Sequence, residues 1–353
     1  MKKTYINGMG CVSVQNTSEG FLEEAVANET ENVLAIQAPV YKDFISPAAI
    51  RRMAKGVKNG IVASAMAMRD ANVETVDAII TGTGMGCIED SETFLEGILD
   101  NNEQHLTPTS FIQSTHNTVG AQVALGMQCK AYNFTYVNGA VSFESALLDA
   151  QLTIAEGEAT SILIGGIDET ADYTMSLYKL SGMIKKEDEA PYNILESKST
   201  GVVYGEGAAF FVIEDKITNK TYAEIVDVEI CNEMNKEEVA EKASTFLSKN
   251  GFAAEDIDAI ILGLNGDAET DQYYKVLSDG VFKGKQQLYY KHLSGEYNTA
   301  SAFGLWVGAK VLKTQAVPDV IKVNSAGKTS FKNILLYNQY KGIDHSFTLI
   351  SAV

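Results

Sequence analysis

At 353 residues the chain is long for one ordinary domain and suits two domains or one large layered α/β body. Its hydrophobic content of 45%, with 16 Tyr and 14 Phe, is too high for a disordered chain. The formal charge is -18 and no basic cluster exceeds the pairs Arg51-Arg52 and Lys185-Lys186, which excludes nucleic acid as a partner, because phosphate recognition needs a basic face.

In chain order, "MKKTYINGMG" carries two lysines with no apolar stretch behind them, so no signal peptide is expected. No run approaches the roughly 18 apolar residues of a membrane span, and the protein is expected in the cytoplasm. Cys11, Cys87, Cys129 and Cys231 show no CxxC spacing, so they read as reduced thiols, with neither a zinc site nor a disulfide framework expected. "VDAIITGTG", from Val76 to Gly84, is a short β-branched run closed by Gly, the pattern of a buried parallel strand entering a loop. The "TGTGMG" that ends it lacks the third Gly and the acidic ribose partner of a dinucleotide fingerprint; it reads as a tight turn, and no cofactor is expected.

"FTYVNGAVSFES", Phe134 to Ser145, sends an aromatic strand into a Gly turn with a helix directly behind it. Such a turn seats a nucleophile where the helix dipole favours a thiolate or oxyanion. The residue at the bend is Ala140, which can do no chemistry. Ser142, the nearest hydroxyl, is expected to cap the helix, because Phe143 and Glu144 stand where a serine elbow needs small residues. "SFESALLDAQLTIAEGE" is apolar nearly all round, which predicts a helix buried between layers. "ATSILIGGIDE" and "KNILLYNQYKG" read as strands ending at Gly turns.

An internal repeat organises these elements. "VDAIITGTG" matches "IDAIILGLN", and "HNTVGAQVAL" matches "YNTASAFGLW". Asp77 and Asp258 lie 181 residues apart, and so do Asn117 and Asn298. Two related halves are therefore expected within a single unit spanning 1–353: an N-terminal half over 1–215 and a shortened C-terminal half over 216–353.

These segments, taken in order, resemble the β-ketoacyl-acyl carrier protein synthases. "TGTGMGCIEDSETF" is similar to that family's glycine-rich segment, and "PTSFIQSTHNTVGAQVALGM" to the stretch before the nucleophile strand. "YVNGAVSFESALLDAQLTIAEGEATSILIGGIDE" resembles the nucleophile strand, its helix and the Gly-Gly turn, and "STGVVYGEGAAFFVIED" the G-E-G-A strand. "LGLNGDAETD" and "YKHLSGEYNTASAFG" stand where the family has its two histidine motifs. The resemblance implies a thiolase-like, five-layered αβαβα fold of two related halves. It also implies a Cys nucleophile assisted by two histidines and a lysine, in carbon–carbon bond formation on a carrier-borne acyl chain.

Carried over position by position, the Cys falls on Ala140, the first His on Asn265 and the second on Glu296; only the lysine remains, as Lys291. The family's C-terminal gating segment corresponds to "KGID", Lys341 to Asp344, without its phenylalanine. Alanine forms no thioester, and asparagine exchanges no proton near neutral pH. An ionised Glu296 opposes a developing oxyanion. Lys291 is expected to pair with Glu296. Outside this set, Ser142 and His116 are the candidate reactive groups, His116 more simply as a packing histidine. No metal site is expected.

The resemblance thus points to a subunit of chain-length-factor type, pairing with an active ketosynthase in fatty-acid or polyketide-like elongation, an aryl-polyene pathway among the options. Its partners would be that ketosynthase, an acyl chain, and acyl carrier protein indirectly. Pairing would run through the strand before Ala140. Phe111, Ile112, His116, Phe134, Tyr136 and Phe143 are the candidates for the acyl pocket or the subunit interface. Two alternatives stay open: an active acyltransferase or condensing enzyme with a non-standard nucleophile, and a homodimeric module that binds acyl chains or carrier protein.

Overall fold

The computed structural model describes residues 2–17, 20–104, 106 and 108–353. The first half of the chain runs β1 (Thr4–Val12), α1 (Pro47–Ile50), α2 (Lys55–Ala71), β2 (Ala78–Gly82), α3 (Ile88–Asp100), α4 (Pro108–Ser114) and α5 (Thr118–Gly126). It continues through β3 (Tyr132–Tyr136), α6 (Ser142–Glu156), β4 (Ser161–Asp168), α7 (Asp172–Leu180) and β5 (Gly207–Glu214). The second half runs β6 (Ala223–Asn232), α8 (Val239–Lys249), β7 (Ala259–Leu262), α9 (Asp271–Val276) and β8 (Gln286–Tyr289). It ends with α10 (Lys291–Ser294), α11 (Ala300–Thr314), β9 (Asn333–Tyr340) and β10 (Asp344–Ser351).

The strands form one hydrogen-bonded array in the order β3-β2-β4-β5-β1-β6-β10-β9-β7-β8. Read inward to the β1–β6 seam, the two halves repeat one another strand for strand. In each, a parallel trio is followed by two antiparallel strands: β3, β2 and β4 then β5 and β1, and likewise β8, β7 and β9 then β10 and β6. The halves join where Thr4 pairs with Ile225 and Ile6 with Ala223.

Successive side chains of a strand point to opposite faces, and here both faces are apolar. Ile80, Ile162, Ile164, Phe211, Ile261 and Leu336 face a central core built on α6 and α11. Their neighbours Ile79, Leu163, Phe210 and Val212 face an outer core under α2, while Ile260, Leu262, Leu335 and Tyr337 face one under α8. The layers are helix, sheet, helix, sheet, helix: the five-layered αβαβα fold. α6 lies in the middle, as its all-round apolar pattern predicts, and ends at Gly157, whose φ of +81° closes the helix. Two glycines let the middle layer close: a side chain at Gly82 would meet the backbone of Ser142 and Phe143, and one at Gly166 would meet Thr299 and Ala302.

Of the two repeat matches, only one joins equivalent elements. The Asp77/Asp258 match joins equivalent strands, β2 and β7. The Asn117/Asn298 match does not, because "HNTVGAQVAL" leads into α5 before β3, whereas "YNTASAFGLW" leads into α11 after β8. The counterpart of α11 is α6, which also connects the third strand of its half to the fourth. The equal spacing is coincidental; both segments need an Asn–Thr turn before an apolar helix. No helix among the described residues is long and apolar enough to cross a membrane.

Candidate functional site

β3 leads into Gly139, whose φ of +53° only glycine adopts freely, and Ala140 and Val141 complete a single tight turn before α6. Ala140 is buried at the helix N-terminus, where the nucleophile was placed from sequence. Ser142 is not the helix cap: Val141 holds that position without a side-chain bond. Instead the Ser142 hydroxyl accepts from the Asn138 N–H at 2.8 Å and donates to the Gly139 carbonyl at 2.7 Å. It is completely buried and braces the turn from inside. The cap is unnecessary because the tight turn itself leads the chain into the helix.

The other positions come from the second half. Asn265 follows β7, and Glu296 follows α10 through Gly295 at φ +72°. The Asn265 Nδ2 donates to Glu296 Oε2 at 2.7 Å, and Lys291 Nζ reaches the same oxygen at 2.7 Å. Asn265, Lys291 and Glu296 are 4%, 1% and 2% exposed. The backbone clamps the carboxylate in place: the Glu296 N–H donates to the Val203 carbonyl, and its own carbonyl accepts from Gly205. The structure thus brings together three of the positions read from sequence, as a closed ion pair braced by an amide.

Three buried carboxylates beside these groups escaped the sequence reading. Glu144 lies one helical turn beyond Ala140 and accepts from the Ser346 hydroxyl at 2.8 Å; burial pushes its carboxyl upward, against the pull of Lys291. Asp271 accepts the N–H groups of Asn265 and Gly266 at 3.1 and 2.9 Å, and burial raises it to about 7. Asp168, in "GGIDE", accepts from Gly84 and Met85 N–H at 2.8 and 3.0 Å and from the N–H and hydroxyl of Thr299, both at 2.9 Å. It ties the "TGTGMG" turn to the start of α11. Its position after two glycines at the end of a buried strand was the available signal.

A cleft of about 290 Å³ leads from the surface to Asn265 between Gly201, Tyr204, Tyr340 and Lys341. Its two lips are tied together: Asp267 accepts from the Gly201 N–H at 2.7 Å, and the Ala268 N–H donates to the Ser199 carbonyl at 2.9 Å. "KGID" forms the turn between β9 and β10, with Lys341 and Gly342 at φ +53° and +65°.

The remaining candidates separate by exposure. Phe111 (54%), Ile112 (57%) and Phe134 (44%) stand open on the side of the molecule that β3 edges. Tyr136 is half-buried and packs on Phe134 at 4.9 Å. His116 is exposed, lying over Gly86. Phe143 is not on this face; it is buried against Phe211 at 5.7 Å, because α6 turns it into the central core.

Two further histidines, His292 and His345, are buried. His292 stacks on Tyr289 at 3.7 Å and burial lowers it to about 3; His345 lies within β10 beside Tyr337, also lowered by burial. His105 lies outside the described residues. Burial raises the Cys11 thiol to about 12 and pushes Cys87 higher still, so neither is a thiolate. Cys129 and Cys231 are half-buried, and all four cysteines are free. Among the described residues no group of three His, Cys, Asp or Glu side chains is placed to hold a metal ion.

The β-ketoacyl synthase N-terminal domain family matches residues 7–218. No curated protein sequence matches the chain. Among solved structures, the ishigamide ketosynthase/chain length factor aligns over 100% of this chain and 99% of its own, with a TM-score of 0.80 and 17% identity. A β-ketoacyl synthase from Burkholderia phymatum STM815 aligns over 100% of both chains, with a TM-score of 0.82 and 17% identity. A ketosynthase in complex with its chain length factor, from Xenorhabdus doucetiae, aligns over 100% of this chain and 98% of its own, at 0.74 and 13%.

Proposed function

The chain belongs to the β-ketoacyl synthase family, and on that premise we propose that it is a catalytically silent subunit of chain-length-factor type, which pairs with an active ketosynthase and helps shape the chamber for a growing acyl chain. The observation that carries this reading is the closed Asn265–Glu296–Lys291 cluster, together with an alanine at the turn before α6. Condensation needs a nucleophile, proton exchange and net positive character where the enolate and oxyanion form. Here the nucleophile position is a methyl group, and the one retained cation is neutralised by a carboxylate. Two of the solved relatives named above are described as a ketosynthase/chain length factor and as a ketosynthase with its chain length factor, which supports the pairing.

An active acyltransferase with a displaced nucleophile is disfavoured by the same geometry. Both bonding directions of the Ser142 hydroxyl are used internally, and Cys11 and Cys87 are buried and protonated.

Co-expression with an active ketosynthase encoded nearby is expected to yield a stable 1:1 complex that elongates acyl chains, while this chain alone gains no mass from acyl- or malonyl-carrier protein. A covalent acyl adduct on this chain, or two subunits that elute apart, would overturn the reading. The variant Ala140→Cys is expected to stay inactive in condensation, because Asn265 and Glu296 still occupy both histidine positions; its product formation is read by mass spectrometry.

A further inference from the structure

The side of the molecule that β3 edges is open. β3 bonds only to β2, and among the described residues no strand lies along its outer edge. α5 packs beside it, and α4 and α3 follow, Phe94 of α3 meeting Phe111 of α4 at 5.2 Å. Leu99, Phe111, Ile112, Leu125, Phe134 and Val137 are all exposed on this run of elements. Exposed apolar side chains on neighbouring elements beside an unpaired edge are features of an association surface.

Its charge is one-sided. Residues 88–137, which build this side, hold Glu89, Asp90, Glu92, Glu96, Asp100 and Glu103 against the single cation Lys130. Some of this acid is used locally. Glu92 accepts from the first N–H groups of α7, Lys55 approaches Glu89 at 3.9 Å, and Lys58 lies near Asp90. Glu96, Asp100 and Glu103 are exposed and, among the described residues, have no lysine or arginine within ion-pair distance.

A two-fold symmetric pair sets a face against its own copy. A second copy of this chain would bring a second acidic rim to the same contact, with one lysine from each copy in return. A different subunit with a basic rim would meet no such repulsion and would be steered in by the field. We propose that the acidic rim on α3 and the turn after it acts as a selectivity element, which disfavours self-pairing and favours a non-identical subunit whose matching rim is rich in lysine and arginine. This rests on the reading that the chain pairs through the β3 side, and it adds which kind of partner that side accepts.

The test uses the full chain and a charge-reversed copy, Glu96→Lys/Asp100→Lys/Glu103→Lys, as the basic-rimmed partner. Lysine near the C-terminus of α3 also suits the helix dipole, so the variant is expected to fold. Sedimentation velocity is run on each protein alone and on the equimolar mixture, at about 50 mM and about 500 mM NaCl. At low salt the mixed dimer is expected to form at least about tenfold more tightly than either protein pairs with itself, and the preference is expected to shrink at high salt. Adding Phe134→Asp to the reversed copy is expected to abolish the mixed dimer. A wild-type homodimer as tight as the mixed one at about 50 mM NaCl, or a preference that does not shrink at about 500 mM, overturns the proposal. Failure of the underlying reading looks different: a mixed dimer that survives Phe134→Asp shows that pairing does not use the β3 side.

Discussion

Glu296 receives hydrogen bonds from both Lys291 and Asn265 on one oxygen, far from water. A buried ion pair adds little net stability when formed, but removing one partner strands the other charge. Lys291→Met is therefore expected to cost about 3–5 kcal/mol in urea unfolding, and Lys291→Met/Glu296→Gln to recover much of that loss. A vestigial lysine that contributed nothing would show no loss in the single variant.

Asp271 yields a pH prediction. Its folded value, about 7, lies above the ordinary aspartate range, so between about pH 4 and 7 the folded state holds a proton that the unfolded state has lost. The unfolded chain binds fewer protons, so stability contributed by this group is fully present below about pH 4 and is lost as pH rises toward 7. Asp271→Asn is expected to flatten the urea midpoint between pH 5 and 8 in part. An unchanged slope would show that Asp271 ionises normally. Glu169 is likewise raised to about 7 by burial and should supply some of the remaining slope.

At the scale of elements, α6 and α11 meet between two sheet halves, and the closeness of that meeting depends on small residues. A Cβ at Gly166 would stand 2.9 Å from Thr299 and 3.1 Å from the Ala302 side chain. Thr299 is in turn held by Asp168, so it has no room to yield. Gly166→Ala is expected to destabilise the protein by about 1–3 kcal/mol through overpacking, read as a lower denaturation midpoint with unchanged m-value. The same alteration at Gly97, on the exposed side of α3 with nothing within 4 Å, should be tolerated.

For the molecule as a whole, the central core takes Ile80 and Ile164 from one sheet half and Ile261 and Leu336 from the other, around α6 and α11 together. A fragment ending at residue 215 would leave α6 without α11 and the second sheet half. It is expected to show no cooperative unfolding, whereas the intact chain unfolds in a single transition; a folded fragment would mean that each half carries its own core. Net charge acts at this scale too, and at -18 the compact state repels itself.

The sequence by itself determined the strand and helix types, the repeat of β2 in β7, the buried middle helix and the alanine at the bend before it. Each of these is written in short-range patterns: runs of β-branched residues, an all-round apolar helix, a Gly turn with alanine at its bend. Glu144, Asp168 and Asp271 were not legible, because a carboxylate is spelled the same way on a solvated surface as in a core. Ser142 was misread as a cap because its partners depend on how tightly the turn before it closes. Only the tertiary structure decided that α11 answers α6 rather than α5, since topology is set by which strands pair across long separations. It likewise decided that Asn265 shares the Glu296 oxygen that Lys291 holds, and that Phe143 faces the core while Phe134 faces solvent.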